Sequence, residues 1–205
     1  MSYLEELKEF KATHTYSSIT VGGGTFRYIL SGKKDGKILV LLNGGMNTLE
    51  MWMGYVDALS NDYQVLLFDY PQEFPTNQEL VKGMHEFFHK IGITHPIFVG
   101  ASDGGMVSQI YVQKYHGEVG GLILISTGGM DAATIKSLKK KYFLAPLMLF
   151  YMKYCNYEKL KPRLIKAGMG HIRNESEAQV RYAREVFETI LRITKRRKIY
   201  TFPDC

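Results

Sequence analysis

From residue 37 onward the chain alternates between short runs of consecutive apolar residues and longer segments whose apolar residues recur at helical spacing. Ile38-Leu39-Val40-Leu41-Leu42, Gln64 to Phe68, Pro96 to Val99 and Val119 to Ser126 are the runs. Their continuous hydrophobicity predicts strands buried on both faces, as in a parallel sheet covered by helices. The intervening segments predict helices over 48–60, 77–91 and 103–116, with Asn77 as the N-cap of the second. Upstream, Tyr3 to Lys11 predicts a short helix. His14 to Val21 and Thr25 to Leu30, joined by Gly22-Gly23-Gly24, predict a hairpin. The triple glycine is a turn and not a phosphate loop, because no Gly-Lys-Ser/Thr follows and no helix begins there.

After Thr127-Gly128-Gly129 the strand signature stops. Helices are expected over 131–141, 145–154 and 157–167, with Pro146 and Pro162 limiting where they can start. A final helix carries Ala183, Val186, Phe187, Ile190 and Leu191 on one face, and Asn174 with Glu177 resembles its capping box. The pattern predicts an α/β fold with a mostly parallel, doubly wound sheet. Residues 1–129 form the core and residues 130–205 a helical cap region and tail.

One stretch combines these signals most tightly. The apolar run Ile97 to Val99 ends at Gly100, Ser102 follows between small neighbours, and Gly104-Gly105 leads into Met106, Val107, Ile110, Tyr111 and Tyr115 at helical spacing. This predicts a strand, a tight turn with Ser102 at its apex, and a helix. Such a turn brings strand and helix too close for side chains at Gly100 and Gly104. It forces the serine into a strained backbone and holds its hydroxyl out at the end of the sheet. The helix beginning near Asp103 would aim free N–H groups and the positive end of its dipole at charge forming beside that hydroxyl.

Composition narrows the class. The chain has 205 residues, 45% hydrophobic and 22% charged, which suits one globular domain or a domain with an appendage. The net charge of +6 is concentrated late, in Lys139-Lys140-Lys141 and Lys195-Arg196-Arg197-Lys198. These lie at expected helix ends, where cations complement the dipole, and no nucleic-acid motif accompanies them. Cys155 and Cys205 form neither a disulfide framework nor a metal-binding spacing, so no metal or cofactor is expected and a reducing cytoplasm is the expected location. The polar, acidic start, Met1-Ser2-Tyr3-Leu4-Glu5-Glu6, does not resemble a signal peptide. The longest apolar stretch, Phe143 to Met152, contains Pro146 and is too short to cross a bilayer, which takes about 20 residues.

On these residues the segment from about 14 to 130 resembles the α/β-hydrolase fold family. Gly100-Ala101-Ser102-Asp103-Gly104-Gly105 is similar to its Gly-x-Ser-Asp-Gly-Gly nucleophile elbow. Asn43-Gly44-Gly45 with Trp52 downstream resembles its His-Gly loop and tryptophan, and the region after Gly129 resembles its cap. The resemblance implies that Ser102 attacks a carbonyl carbon. The backbone N–H groups of Asp103 and Gly45 (Met46 being the alternative) would form the oxyanion hole. The side chain of Asp103 is expected to cap the helix. Asp69 ends a strand, but Pro71-Gln72-Glu73-Phe74-Pro75 replaces the family's glycine-rich continuation, so Asp69 is read as structural.

A serine nucleophile needs a base, and the base an orienting acid. In the family these follow two further strands, in the order serine, acid, histidine. No such strand is expected after Ile125, so the chain reads as a hydrolase whose last core strands are missing, through truncation, loss or supply by another chain. His171 is the candidate base and Asp131 the candidate acid, with a surface loop and a helix N-cap as their structural alternatives. His14, His85, His89, His95 and His116 are placed on other elements. The expected activity is hydrolysis of a small carboxylic ester or amide through an acyl-Ser102 intermediate. Acyl transfer on the same scaffold and a catalytically silent binding protein stay open. Tyr142, Phe143, Leu147, Met148, Phe150, Tyr151 and Met152 would either line an apolar acyl pocket or pack the cap on the core. An exposed edge beside Leu122 to Ile125 would favour a homo-oligomer or coverage by the cap.

Overall fold

The structure, a computed structural model, describes residues 2–45, 48–141, 161–163, 165–166, 169–170 and 175–194. Among the described residues six strands form one sheet: β1 (Ser17–Val21), β2 (Gly24–Gly32), β3 (Ile38–Leu42), β4 (Gln64–Phe68), β5 (Ile97–Ala101) and β6 (Gly121–Ile125). Their order across the sheet is β1-β2-β4-β3-β5-β6. The β1–β2 hairpin joins β4 antiparallel, whereas β4, β3, β5 and β6 run parallel. Helices among the described residues include α1 (Tyr3–Thr13), α2 (Met53–Ser60), α3 (Asn77–Ile91), α4 (Asp103–Tyr115), α5 (Ala132–Lys141) and α6 (Glu177–Thr194).

Alternation along the central strands divides the core into two layers. Val40, Leu42, Leu66, Phe68 and Phe98 face a cluster completed by Leu80, Met84 and Phe87 of α3 and by Val107, Ile110 and Tyr111 of α4. Leu39, Leu41, Val65 and Leu67 face the opposite cluster, with Leu7 and Phe10 of α1 and Met53 and Val56 of α2. Both faces of each central strand are therefore apolar, the reason for their unbroken runs. Tyr182 and Val186 of α6 also pack against the second cluster. Tyr182 meets Tyr3 edge-on at 5.7 Å between ring centres, and the Tyr3 N–H donates to Glu185 at 2.9 Å.

Several boundaries move for local reasons. Thr76, not Asn77, caps α3, its hydroxyl accepting the Glu79 N–H at 3.2 Å. Ser176 and Gln179 exchange the capping-box bonds at the start of α6, which the sequence pattern assigned to Asn174 and Glu177. The segment expected as one helix from Thr48 opens as a 3₁₀ turn, Leu49–Trp52, before α2.

The larger correction concerns β6. Its apolar run predicts a buried strand, yet Leu122, Ile123, Leu124 and Ile125 are 37%, 49%, 43% and 42% exposed. Both faces are partly exposed, and among the described residues β6 pairs only with β5. The expected helix over 145–154, most of that over 157–167, and the apolar residues from Tyr142 to Met152 lie outside the described residues. No helix among the described residues is long and apolar enough to cross a membrane.

Candidate active site

β5 ends at Ala101 and α4 begins at Asp103, leaving Ser102 alone in the turn. Its backbone has φ 52° and ψ −116°, a left-handed conformation that an L-residue holds only when its surroundings impose it. Three contacts do so. The Ser102 N–H donates to the Ile125 carbonyl at 2.9 Å, at the end of β6. Its carbonyl accepts from the Gly105 N–H at 3.0 Å and from the Thr127 hydroxyl at 2.7 Å. The side chain is exposed and makes no capping bond to α4.

The glycines of the elbow are explained by contact with backbone. A Cβ on Gly100 would lie 2.6 Å from the Gly104 carbonyl oxygen and from the Gly105 Cα. A Cβ on Gly104 would press on the carbonyl oxygens of Leu42 and Asn43, at the end of β3. Backbone cannot swing aside as a side-chain tip can. Gly104→Ala is expected to cost about 1–3 kcal/mol, the usual range for overpacking, read as a lower urea midpoint with unchanged slope.

The loop after β3 lies against this turn. A Cβ built on Gly44 would stand 3.5 Å from the Ser102 Cβ, so glycine leaves room over the serine. Gly45 is exposed, with open space around it, and Met46 lies outside the described residues. Asn43 fixes the loop from below: it is fully buried, its side-chain amide donates to the Phe68 carbonyl at 2.8 Å, and its own carbonyl accepts from the Tyr70 hydroxyl at 2.9 Å.

A charged network anchors the other end of the same loop. Arg27 of β2 donates through Nε to Asp69 at 2.6 Å and through its terminal nitrogen to Glu50 at 2.9 Å. Asp69 accepts the Leu49 N–H at 2.9 Å, and Glu50 accepts from the hydroxyls of Tyr16, at 3.2 Å, and Thr48. Burial pushes the Glu50 carboxyl up, but the Thr48 hydroxyl and the Arg27 charge hold it below the usual carboxylate value. Asp69 thus works as a clamp on the loop. Sequence patterning did not single out Arg27 or Glu50, since partners 23 and 42 residues apart leave no local signature.

Asp103 departs from expectation. Its side chain does not cap α4; it is buried beside Asn77 of α3, and its Oδ2 has no hydrogen-bond partner. Burial raises its pKa to about 6, against the smaller opposing pull of Asn77. Its backbone still stands in the first turn of α4, whose N–H groups have no intrahelical acceptor.

The remaining candidates are not brought to the serine by any described contact. Asp131 caps α5, accepting the Thr134 N–H at 2.9 Å on one oxygen and the Thr134 hydroxyl on the other. These bonds hold its carboxyl below its ordinary value. His171 lies outside the described residues. His14 pairs with Asp57, and His85 and His89 with Glu118. Among the described residues, nothing hydrogen-bonds the Ser102 hydroxyl.

A mostly parallel sheet with this strand order, a serine strained between β5 and α4, and a glycine loop set over it define the class. The sequence matches the family model for the alpha/beta hydrolase fold over residues 37–155, more than half its length, and the chain belongs to that family. It is 27% identical over 122 residues to a cis-3-alkyl-4-alkyloxetan-2-one decarboxylase from Xanthomonas campestris pv. campestris. That match covers 51% of this chain and 41% of the decarboxylase, so it spans about two-fifths of the relative's length. Among solved structures, naproxen esterase from Bacillus subtilis superposes with a TM-score of 0.65 at 18% identity, over 98% of this chain and 72% of that one. A second carboxylesterase of Bacillus subtilis gives 0.60 at 16%, over 97% and 70%. These likenesses establish the shared fold.

Proposed function

We propose that the chain is the serine-bearing part of a hydrolase acting on a small carboxylic ester or amide through an acyl-Ser102 intermediate. The observation that carries this reading is the exposed Ser102 at φ 52°, aimed from the N-terminus of α4 with Gly44 beside it. In the reaction, Ser102 Oγ bonds to the substrate carbonyl carbon and the carbonyl oxygen takes the negative charge. The N–H groups of Asp103 and Gly45 are the proposed donors to that oxyanion, worth about 3 to 4 kcal/mol each where such a donor has been removed. Collapse expels the alcohol or amine, which leaves with the proton lost by Ser102, and water then releases the acid. The acid and base offered by the sequence are Asp131 and His171. The oxetan-2-one named for the decarboxylase relative is itself a cyclic ester, which supports a carbonyl electrophile as the substrate class.

A second reading, a binding protein without turnover, is favoured by the Ser102 hydroxyl having no hydrogen-bond partner among the described residues. The two separate cleanly. A fluorophosphonate probe is expected to label the intact chain at one site, and Ser102→Ala to abolish labelling while keeping the wild-type urea midpoint. An unlabelled wild-type chain that also fails to turn over p-nitrophenyl esters overturns the hydrolase reading and leaves the binding one.

A further inference from the structure

At the other end of α4, away from the elbow, three potential ligands converge. His85 and His89 are one turn apart on α3, which puts both imidazoles on the same face. Glu118 reaches them from the 3₁₀ turn His116–Glu118, which links α4 to β6. The His85 and His89 Nε2 atoms stand 3.2 Å apart. The Glu118 carboxylate lies 3.1 Å from the first and 3.4 Å from the second.

Those separations carry chemical information. Ligands about 2.0–2.1 Å from a tetrahedral zinc stand about 3.3–3.4 Å from one another. The three donor atoms already form a triangle of nearly that size. Two neutral imidazole nitrogens facing each other at 3.2 Å share at most one proton, whereas one divalent cation would satisfy both lone pairs and the carboxylate together. The half-buried His85 ring is preset by stacking on Tyr115, with centroids 3.9 Å apart and planes at 11°. His89 and Glu118 are more open, with side chains 61% and 47% exposed, which leaves an approach and a place for water as a fourth ligand.

We propose that His85, His89 and Glu118 bind one divalent cation of the zinc class, bracing α3 against the link between α4 and β6. Two imidazoles and one carboxylate suit zinc, cobalt or nickel, and not magnesium or calcium, which take all-oxygen shells. Since α4 separates the site from Ser102 by 13 residues of helix, roughly 20 Å, the ion stands apart from the acyl chemistry and would act on the fold.

Titration calorimetry on the untagged, metal-stripped full chain, with zinc chloride as the probe, tests this. One ion per chain is expected, with a rise in the thermal midpoint, and cobalt should give the visible absorption of a tetrahedral site. His89→Ala and Glu118→Gln should each weaken zinc at least about tenfold and remove the thermal rise, while His14→Ala leaves both unchanged. Because His89 and Glu118 are largely exposed, the variants should keep the metal-free midpoint of the wild type. No binding by the wild type, or equally tight binding by both variants, overturns the site.

Discussion

Replacing Arg27 with methionine is expected to destabilise the chain by about 3–5 kcal/mol, the range for removing one partner of a buried ion pair. The side chains of Glu50 and Asp69 are only 3% and 8% exposed. Without Arg27, both carboxylates stay buried and lose the cation that bridges them. Arg27 itself is 37% exposed, so water can reach part of the gap and the loss should fall towards the lower figure. Urea unfolding at pH 7 measures it. The cost should shrink as the pH falls through the carboxylate range, and Glu50→Gln added to Arg27→Met should recover part of it, because one buried charge is then gone. A cost under about 1 kcal/mol would reduce the network to an ordinary surface pair. The same variant should slow fluorophosphonate labelling, because Asp69 and Glu50 hold residues 48–50, which continue from the loop over Ser102.

Asp103→Asn is expected to raise stability at pH 8 by about 3 kcal/mol and to give almost no gain at pH 4. The folded-state pKa is about 6, above the ordinary value of 3.8, and burial is its main cause. The sign follows. Below about pH 4 the carboxyl is protonated in both states and burial costs little. Between about pH 4 and 6 the unfolded chain gives up its proton while the folded chain keeps it, so stability is lost across that interval and levels off above it. A gap of about two pH units corresponds to about 3 kcal/mol. Asparagine keeps an oxygen for Asn77, keeps the backbone N–H proposed for the oxyanion, and never ionises. Urea midpoints of the wild type and variant should therefore diverge from about pH 4 to 6 and stay apart up to pH 8. Parallel curves would show that Asp103 does not titrate in this window.

The parts of the fold readable from sequence are those set by local patterning. The runs at 38–42 and 64–68 are strands with the expected bounds, because residues alternating between two apolar layers must all be apolar. The glycine-rich turn was equally visible, since Gly100 answers to backbone only a few residues away, although Gly104 answers to the distant end of β3. Beyond the elbow, tertiary neighbours decide. The run at Leu122 to Ile125 looks like the other strands, but burial depends on what covers it, which the run itself does not encode. The expectation that Asp103 caps its own helix considered only the next turn, while the structure turns its carboxyl towards Asn77 across the α3–α4 packing. His85 and His89 carried a visible spacing, i and i+4 on one helix, but their significance depends on Glu118, 33 residues from His85.

The bond from the Ser102 N–H to the Ile125 carbonyl ties the most strained residue of the turn to the strand with the least cover. Proteins open in patches, and a partly exposed strand opens before a core does. The strained posture of the serine is therefore not as durable as the buried layers behind it. It holds while β6 stays docked, so the lifetime of this turn's geometry is set at the rim of the sheet and can be much shorter than the lifetime of the fold.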